Sequence, residues 1–228
     1  MDIRTIQLKK TILENNDKDA DFLRQQMREQ GTFYVNVMSS PGSGKTTMLV
    51  STIKLLQKLD ESLKIGVMEA DIDSDVDAQT IYSQTGAPAV QLHTGGMCHL
   101  DADMSRQALR EIGSENLDIV ILENVGNLVC PAEFDTGAQI NLVILSVPEG
   151  DDKPLKYPLM FSKADVVVLN KIDTMEVFDF SPGSFMKNLT GCCPDAPVFM
   201  VSAATGEGII ALSEWLGGRA REILEYIG

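Results

Sequence analysis

The sequence has no long apolar run. No stretch resembles an 18-residue apolar span or a signal peptide, and a membrane-spanning or exported chain would need one of them. We therefore expect a soluble, cytoplasmic protein without a membrane partner. Basic residues are also scarce, with 19 Lys and Arg against 33 Asp and Glu and a net charge of -14. Because no basic stretch offsets this charge, a nucleic-acid partner is disfavoured.

Cysteine and histidine are rare, with four cysteines and two histidines in 228 residues. In a cytosolic chain, so few cysteines are typical of free thiols or metal ligands and not of disulfides. Residues 1–30 contain neither residue type, which excludes a thiol- or imidazole-based metal site there. Repeats, low-complexity tracts and linkers are absent as well, so the length favours one large domain with at most a small extension.

Short apolar runs alternate with amphipathic stretches beyond residue 30. The runs predict strands at 33–38, 64–69, 89–92, 119–123, 140–147, 166–170 and 198–202. The amphipathic stretches predict helices at 47–59, 75–84, 101–112, 180–189 and 209–227. This alternation is typical of an α/β fold with a mainly parallel sheet of about seven strands, flanked by helices. Residues 1–30 are predicted to form a helical arm, either as two short helices or as one kinked helix. Residues 31–228 are predicted to form the main domain.

The segment S-S-P-G-S-G-K-T, residues 39–46, lies between the first predicted strand and a predicted helix. Strand, Gly-rich turn and helix in this order are typical of a phosphate-binding loop. Its backbone N–H groups and the positive helix end can hold phosphates, Lys45 can reach the β- and γ-phosphates, and the Thr46 hydroxyl can bind Mg²⁺. The alternative is a Gly-rich turn without a ligand. The nucleotide-binding residues predicted here are Pro41, Gly42, Ser43, Gly44, Lys45, Thr46 and Thr47.

A second motif predicts which base the site selects. Asn170, Lys171 and Asp173 form an N-K-x-D pattern after the strand 166–170. The Asp173 carboxylate can accept hydrogen bonds from guanine N1–H and the N2 amine, which adenine does not offer. Lys171 can lie along the base. Ser202 and Ala203, after the last strand, fit a base-supporting loop, so the sequence predicts GTP as the ligand.

Carboxylates follow two more strands. Glu123 begins E-x-x-G, a variant of the usual D-x-x-G signature, and is predicted to hold Mg²⁺ together with Thr46. Asp71 and Asp75 follow the strand 64–69. We expect Asp71 to orient the attacking water or a Mg²⁺-bound water, so Lys45 and Asp71 are the predicted catalytic residues; Asp75 is a second magnesium candidate. The alternative is that these acids are solvated and favour the start of the next helix.

Thiols and an imidazole are expected at the same end of the sheet. Cys98 and His99 follow the third predicted strand, and Cys130 follows the strand that ends in Glu123. Two thiolates and an imidazole suit Zn²⁺ or Ni²⁺, and a symmetric dimer could complete the ligand set. The alternative is inert, buried cysteines. The adjacent pair Cys192 and Cys193 is left out, because neighbouring cysteines rarely chelate one ion well.

Taken together, the motifs resemble the HypB-type hydrogenase nickel-incorporation GTPases, P-loop G-domain proteins of the same larger (SIMIBI) class as the urease accessory and signal-recognition GTPases. The resemblance is carried by residues 40–47, 98–102, 123–131 and 146–158. It implies that GTP is hydrolysed to GDP and phosphate, and that this is coupled to nickel delivery during [NiFe]-hydrogenase maturation. It further implies a metal site at Cys98, His99 and Cys130 and a GTP-dependent homodimer. The implied partners are a maturation metallochaperone and the hydrogenase large subunit.

Two alternatives stay open at this point. One is a GTP-regulated metal-binding scaffold without significant turnover. The other is a related GTPase serving another nickel enzyme such as urease, although the C-P-H arrangement that the urease type resembles does not occur here. No arginine occupies an obvious finger position, so we expect slow intrinsic hydrolysis. Cys130 lies just beyond the predicted γ-phosphate-sensing loop, residues 123–126, and a shift of that loop on hydrolysis could change the metal affinity.

Overall fold

The computed structural model describes residues 8–71 and 76–225, apart from the side chains of residues 8–12 and 71. Strands and helices alternate through it as predicted. The strands are β1 (Phe33–Ser39), β2 (Ile65–Asp71), β3 (Ala89–His93), β4 (Ile119–Glu123), β5 (Ile140–Ser146), β6 (Val166–Asn170) and β7 (Val198–Met200). The helices are α1 (Leu8–Gln30), α2 (Lys45–Leu59), α3 (Val76–Thr85), α4 (Ala102–Ile112), α5 (Cys130–Glu133), α6 (Lys153–Lys156), α7 (Pro158–Ser162), α8 (Pro182–Thr190) and α9 (Ile209–Glu225).

The seven strands of the described residues form one parallel sheet in the order β3-β2-β4-β1-β5-β6-β7. β1 lies at the centre, between β4 and β5. Because every strand runs in the same direction, the loops that follow the strands all lie at one end of the sheet, which we call its carboxyl end. In open parallel sheets ligands bind at this end.

Helices cover both faces of the sheet. Buried side chains of α2 and α9, including Met48, Ile53 and Leu212, pack against one face in the largest apolar cluster. On the other face α1 and α4 pack against β2 and β4, and α7 and α8 pack against β5 and β6. The residues of β1, β4 and β6 are all buried. Burial on both faces explains why these strands are continuous apolar runs in the sequence.

The N-terminal segment forms one helix from Leu8 to Gln30 and not two short helices. Its buried Leu23 and Met27 join the apolar cluster under β2 and β4. Asn16, a polar residue of this helix, is also buried, with 7% exposure. The division into an arm and a main domain at residue 30 stays a prediction.

Three short helices were not expected from the sequence. α5, α6 and α7 have four or five residues each, too few for a helical period to show. All three carry proline in the first turn, the position that proline favours at a helix start. The last strand ends at Met200 and not at residue 202, since the chain turns there and the backbone N–H of Ser202 donates to Glu207 O. In the described part of the chain, no helix has the length and apolarity to cross a bilayer.

Candidate nucleotide and metal site

The phosphate loop joins β1 to α2 and depends on two glycines in the left-handed region. Gly42 has φ 73° and Gly44 has φ 91°. Gly44 also has no room for a side chain, because a Cβ there would lie 2.6 Å from Asn170 Nδ2. Ser39, which replaces the usual first glycine, is buried and accepts a 2.8 Å hydrogen bond from the Ser43 hydroxyl. The replacement therefore adds a bond inside the loop.

The N-K-x-D segment holds the phosphate loop from the other side. Asn170 Nδ2 donates to Ser43 O at 2.9 Å, and Asn170 Oδ1 accepts from the backbone N–H of Ala203 at 3.1 Å. Lys171 Nζ donates to Gly42 O at 2.7 Å. Among the described non-glycine residues, Lys171 is the one with positive φ, 61°. The buried Asn170 side chain thus connects the phosphate loop with the predicted base-supporting loop.

The predicted base-binding residues lie around this junction. Asp173 follows β6 in a short 3₁₀ turn and is exposed, so its carboxylate is open to a ligand. Ser202 is buried, and its hydroxyl accepts from the backbone N–H of Thr205 at 3.2 Å. Ser202 therefore shapes the turn that presents Ala203. Asn170 thus links Ala203 to the phosphate loop, and Asp173 follows Asn170 by three residues. The base-binding role of Asp173, Ser202 and Ala203 stays a prediction.

Oxygen donors suited to Mg²⁺ gather beside the phosphate loop. The Thr46 hydroxyl donates to Glu123 Oε1 at 2.9 Å. Glu69 lies opposite Glu123 in the pairing of β2 with β4, and Glu69, Asp77 and Glu123 each bring a carboxylate oxygen within 4.8 Å of the others. Mg²⁺ favours hard oxygen ligands of this kind. Of these four residues, the sequence predicted Thr46 and Glu123 as magnesium ligands and did not point to Glu69 or Asp77.

The two other predicted magnesium residues cannot be placed in this cluster. Asp71 ends β2 and pairs with His93 of β3, which puts its backbone at the carboxyl end of the sheet. Its side chain lies outside the description, and Asp75 lies outside the described residues altogether. The catalytic role of Asp71 and the magnesium role of Asp75 stay predictions.

The predicted γ-phosphate-sensing loop, residues 123–126, packs directly on the phosphate loop. A Cβ on Gly126 would lie 3.2 Å from both Cα and N of Pro41. The loop is also fixed to β1, since the buried Asn124 donates from its backbone N–H to Val37 O and from Nδ2 to Asn36 Oδ1, each at 3.0 Å. A displacement of the phosphate loop would therefore press on this segment.

Cys98 and Cys130 lie close enough to interact at the same end of the sheet. A hydrogen bond between the two side chains, together with partial burial, raises the pKa of the Cys130 thiol. Cys130 begins α5, where Asn127 Oδ1 accepts from the backbone N–H groups of Val129 and Cys130 at 2.7 and 3.3 Å. These cysteines are 32 residues apart in the sequence, and the loops after β3 and β4 bring them close enough to interact.

His99 lies beside this thiol pair without completing a tight cluster. Its ring stacks on Phe134, with the ring centroids 3.7 Å apart. Burial lowers the pKa of His99, opposed by Asp101 and Glu133, and so favours the neutral imidazole that metals bind. His99 Nδ1 is buried and makes no hydrogen bond within the described residues. Among the described residues, the one group of three possible metal ligands whose ligand atoms all lie within 4.8 Å of one another is Glu69, Asp77 and Glu123. His99 therefore does not lie within 4.8 Å of both thiols.

The chain is similar to a group of known proteins. A model of the CobW/HypB/UreG nucleotide-binding domain matches residues 33–199. The hydrogenase maturation factor HypB of Rhizobium leguminosarum bv. viciae is 47% identical over 213 residues, which are 93% of this chain and 70% of that protein. HypB of Helicobacter pylori strain J99, named a hydrogenase/urease maturation factor, is 39% identical over 223 residues, 96% of this chain and 90% of that protein.

Solved structures agree with this similarity. A crystal structure of HypB from Helicobacter pylori in complex with nickel has a TM-score of 0.83 at 40% identity and covers 91% of this chain and 96% of that chain. The signal recognition particle receptor FtsY from Elizabethkingia anophelis, in complex with GDP, has a TM-score of 0.55 at 16% identity, covering 88% of this chain and 73% of that chain. FtsY shares the fold alone and confirms the predicted class of P-loop G-domain. With the family model spanning most of the sheet and close relatives over nearly the full length, the chain belongs to the HypB hydrogenase maturation factors, within the CobW/HypB/UreG family of P-loop GTPases.

Proposed function

We propose that this protein binds GTP with Mg²⁺, hydrolyses it to GDP and phosphate, and couples the reaction to nickel delivery during [NiFe]-hydrogenase maturation. The observation that carries the proposal is the proximity of Cys98 and Cys130 at the carboxyl end of the sheet, where the phosphate loop also lies. A relative with 40% identity has been crystallised in complex with nickel. The site therefore combines a nucleotide-binding loop with sulfur donors for a soft metal ion.

Hydrolysis in this proposal depends on positioning and charge neutralisation. Lys45 and the backbone N–H groups of the phosphate loop stabilise the charge that builds on the γ-phosphate. Asp71 orients the attacking water. Asp173 selects guanine by accepting from its N1–H and N2 amine. No arginine stands in an obvious finger position, so intrinsic turnover is slow.

The oxygen cluster beside Thr46 fits a magnesium ion. Thr46, Glu123, Glu69 and Asp77 present a hydroxyl and three carboxylates close together, and this chemistry matches a hard cation. Bound there, Mg²⁺ would neutralise phosphate charge. The protein's own part is to hold these oxygens in place, through the pairing of β2 with β4 and the Thr46 hydrogen bond.

The transported metal in this proposal is Ni²⁺, and Zn²⁺ competes for the same ligands. Two thiolates, Cys98 and Cys130, supply soft donors, and His99 supplies an imidazole within the same loop as Cys98. Three ligands leave a tetrahedral or square site incomplete. A second copy of the chain, related by a two-fold axis, completes it in a GTP-dependent homodimer.

Coupling between the two sites runs through one short segment. Gly126 packs against Pro41 of the phosphate loop, and Cys130 follows four residues later. A change at the γ-phosphate that moves residues 123–126 therefore shifts Cys130 relative to Cys98, and with it the metal affinity.

The partners we propose are a maturation metallochaperone and the hydrogenase large subunit, in the cytoplasm. Delivery to urease is a second candidate function, because the similar Helicobacter pylori protein is named a hydrogenase/urease maturation factor. A metal-binding scaffold that uses GTP only to set its shape is the remaining alternative.

Two assays test the proposal. Phosphate release from GTP should occur with the unchanged protein and be lost in Lys45→Ala, because the lysine neutralises γ-phosphate charge. Ni²⁺ binding, followed by thiolate-to-nickel charge-transfer absorption, should be lost in Cys98→Ala and retained in Cys192→Ala. Absence of phosphate release would favour the scaffold, and unchanged Ni²⁺ binding by Cys98→Ala would remove the proposed metal site.

A further inference from the structure

We infer that Asn16 of α1 is a positioning residue for the Cys98–Cys130 metal site. Asn16 contributes no ligand; it ties together the two chain segments that carry the ligands. The inference rests on the proposed function, since it concerns the site proposed there. Residues 1–30 contain neither cysteine nor histidine. The inference gives the N-terminal helix a role in metal binding all the same, through the position of the ligands.

The Asn16 amide bridges two loops that are distant in sequence. Asn16 Oδ1 accepts from the backbone N–H of Ala102 at 2.9 Å, and Asn16 Nδ2 donates to Asp135 O at 3.0 Å. Ala102 begins α4, three residues after His99, and Asp135 follows α5, which Cys130 begins. One side chain therefore joins the segment of Cys98 and His99 to the segment of Cys130.

The loop at residues 135–138 is held to α1 by further contacts. Arg24 Nη2 donates to both carboxylate oxygens of Asp135, at 2.7 and 2.6 Å, and Arg24 Nε donates to Ala138 O at 2.8 Å. Gly137 approaches α1 so closely that a Cβ there would lie 2.9 Å from Leu23 Cδ2. The Cys130 side of the bridge is thus anchored to α1 at several points. On the Cys98 side, Arg106 Nη2 donates to Asp19 O at 3.4 Å and lies 3.9 Å from Asp19 Oδ1, and buried α1 side chains share an apolar cluster with Leu100.

An amide is suited to this position because it carries one donor and one acceptor on the same planar group. Asn16 is buried, at 7% exposure, and a buried polar side chain is unfavourable unless it is bonded. Both of its polar atoms are bonded here. Replacement by alanine would leave the Ala102 N–H and the Asp135 carbonyl without this partner, and each would be drawn towards water and away from the other.

Separation of the two segments should weaken metal binding more than nucleotide binding. A metal held by two thiolates from different loops needs those loops in register, and loss of groups that orient metal ligands lowers affinity by about 10–100-fold. Because Asn16 acts through the backbone, we expect the lower end, about tenfold, for Asn16→Ala. GDP binding should be unchanged, because Asn16 contacts neither the phosphate loop nor the N-K-x-D segment in the described hydrogen bonds.

The test titrates Ni²⁺ into the full chain and follows the thiolate-to-nickel absorption. Asn16→Ala and Asn16→Asp should both bind more weakly, since aspartate keeps the acceptor for Ala102 and loses the donor to Asp135. Asn15→Ala is the matched control, an exposed amide one residue earlier in the same helix, and should bind like the parent. Met27→Ala, which truncates a buried α1 side chain eleven residues after Asn16 and removes no hydrogen bond to either loop, should lower the thermal midpoint without lowering the Ni²⁺ affinity of the folded protein.

A metal-free readout measures the thiol pair itself. In a Cys192→Ala, Cys193→Ala background, a dithiol-specific arsenical such as phenylarsine oxide should bind the Cys98–Cys130 pair, and Asn16→Ala should weaken this binding.

The outcomes separate the inference from the proposed function. If Asn16→Ala binds Ni²⁺ and the arsenical as tightly as the parent, while Cys98→Ala binds neither, the inference alone is overturned. A Met27→Ala variant that loses as much Ni²⁺ affinity as Asn16→Ala would also overturn it, because the effect would then follow stability. Unchanged Ni²⁺ binding by Cys98→Ala would instead contradict the proposed function. If Asn16→Ala does not fold, Asn16→Asp decides by the same readouts.

Discussion

Replacement of Asn170 by alanine should separate the phosphate loop from the base-supporting loop. Asn170 is 1% exposed, and its amide bonds Ser43 O at 2.9 Å and the Ala203 N–H at 3.1 Å. Both partners belong to predicted nucleotide-binding segments. The variant removes the two bonds at once. It also leaves an empty space next to Gly44, where the Asn170 amide lies in the unchanged protein.

The magnitude follows from the two backbone groups that lose their partner. A buried polar group left without a hydrogen bond costs about 1–3 kcal/mol, so the two groups together set an upper range of about 2–6 kcal/mol. The loops border the nucleotide and can relax towards water, which places the effect near the lower end. About 2 kcal/mol corresponds to a loss of roughly 30-fold in GDP affinity.

The assay is a titration with a fluorescent GDP analogue, run beside urea unfolding. Asn188→Ala is the control, because Asn188 Nδ2 also donates to a backbone carbonyl, Asp151 O at 3.1 Å, but bonds neither loop. We expect the control to bind GDP like the parent and Asn170→Ala to bind at least tenfold more weakly. Binding by Asn170→Ala within twofold of the parent would refute the proposed role of Asn170 as the connection between the loops.

Three further predictions concern the same end of the sheet and the core beneath it. Gly126→Ala should weaken binding of a non-hydrolysable GTP analogue by about tenfold while sparing GDP, because its Cβ would press on Pro41 from 3.2 Å; equal losses for both nucleotides in a competition titration would contradict this. Glu123→Gln should lower phosphate release by about tenfold or more and shift the Mg²⁺ dependence to higher concentration, since it removes one carboxylate charge beside Thr46; an unchanged Mg²⁺ profile would argue against a magnesium site there. Burial raises the pKa of Cys193 to about 11, so at pH 8 only about one Cys193 thiol in a thousand is the reactive thiolate. Iodoacetamide should therefore modify Cys98 well before Cys193, as measured by peptide mass mapping. Equal rates of modification would contradict the buried placement of Cys193.

Much of the nucleotide site could be predicted from the sequence because its motifs are local. The phosphate loop and the N-K-x-D segment each follow an apolar run, and a parallel sheet carries the ends of all such runs to one side. This conclusion does not depend on how many residues separate one motif from the next. The placement of Cys98, His99 and Cys130 at the carboxyl end of the sheet was predicted in the same way. Cys98 and Cys130 lie close enough to interact there, and the three-residue metal site stays a prediction.

Features that depend on strand order and long-range packing could not be predicted. Glu69 joins the magnesium cluster because β2 pairs with β4 and sets Glu69 opposite Glu123, and the sequence alone does not specify that neighbour. Asp77 was not predicted as a magnesium ligand. Asn16 fills a buried position with a bonded amide, and no sequence motif pointed to it. A polar residue in an apolar stripe is a signal, but its partners lie 86 and 119 residues away.

The metal affinity of the protein in its two nucleotide states tests the central claim most directly. Ni²⁺ would be titrated into the full chain loaded with GDP and with a non-hydrolysable GTP analogue, with Cys98→Ala in both states as the control. Because residues 123–126 connect the phosphate loop to Cys130, the two loaded forms should differ in Ni²⁺ affinity, and the difference should vanish in Cys98→Ala. Equal affinity in the GDP and GTP-analogue forms of the unchanged protein would contradict the coupling of the nucleotide site to the thiol pair.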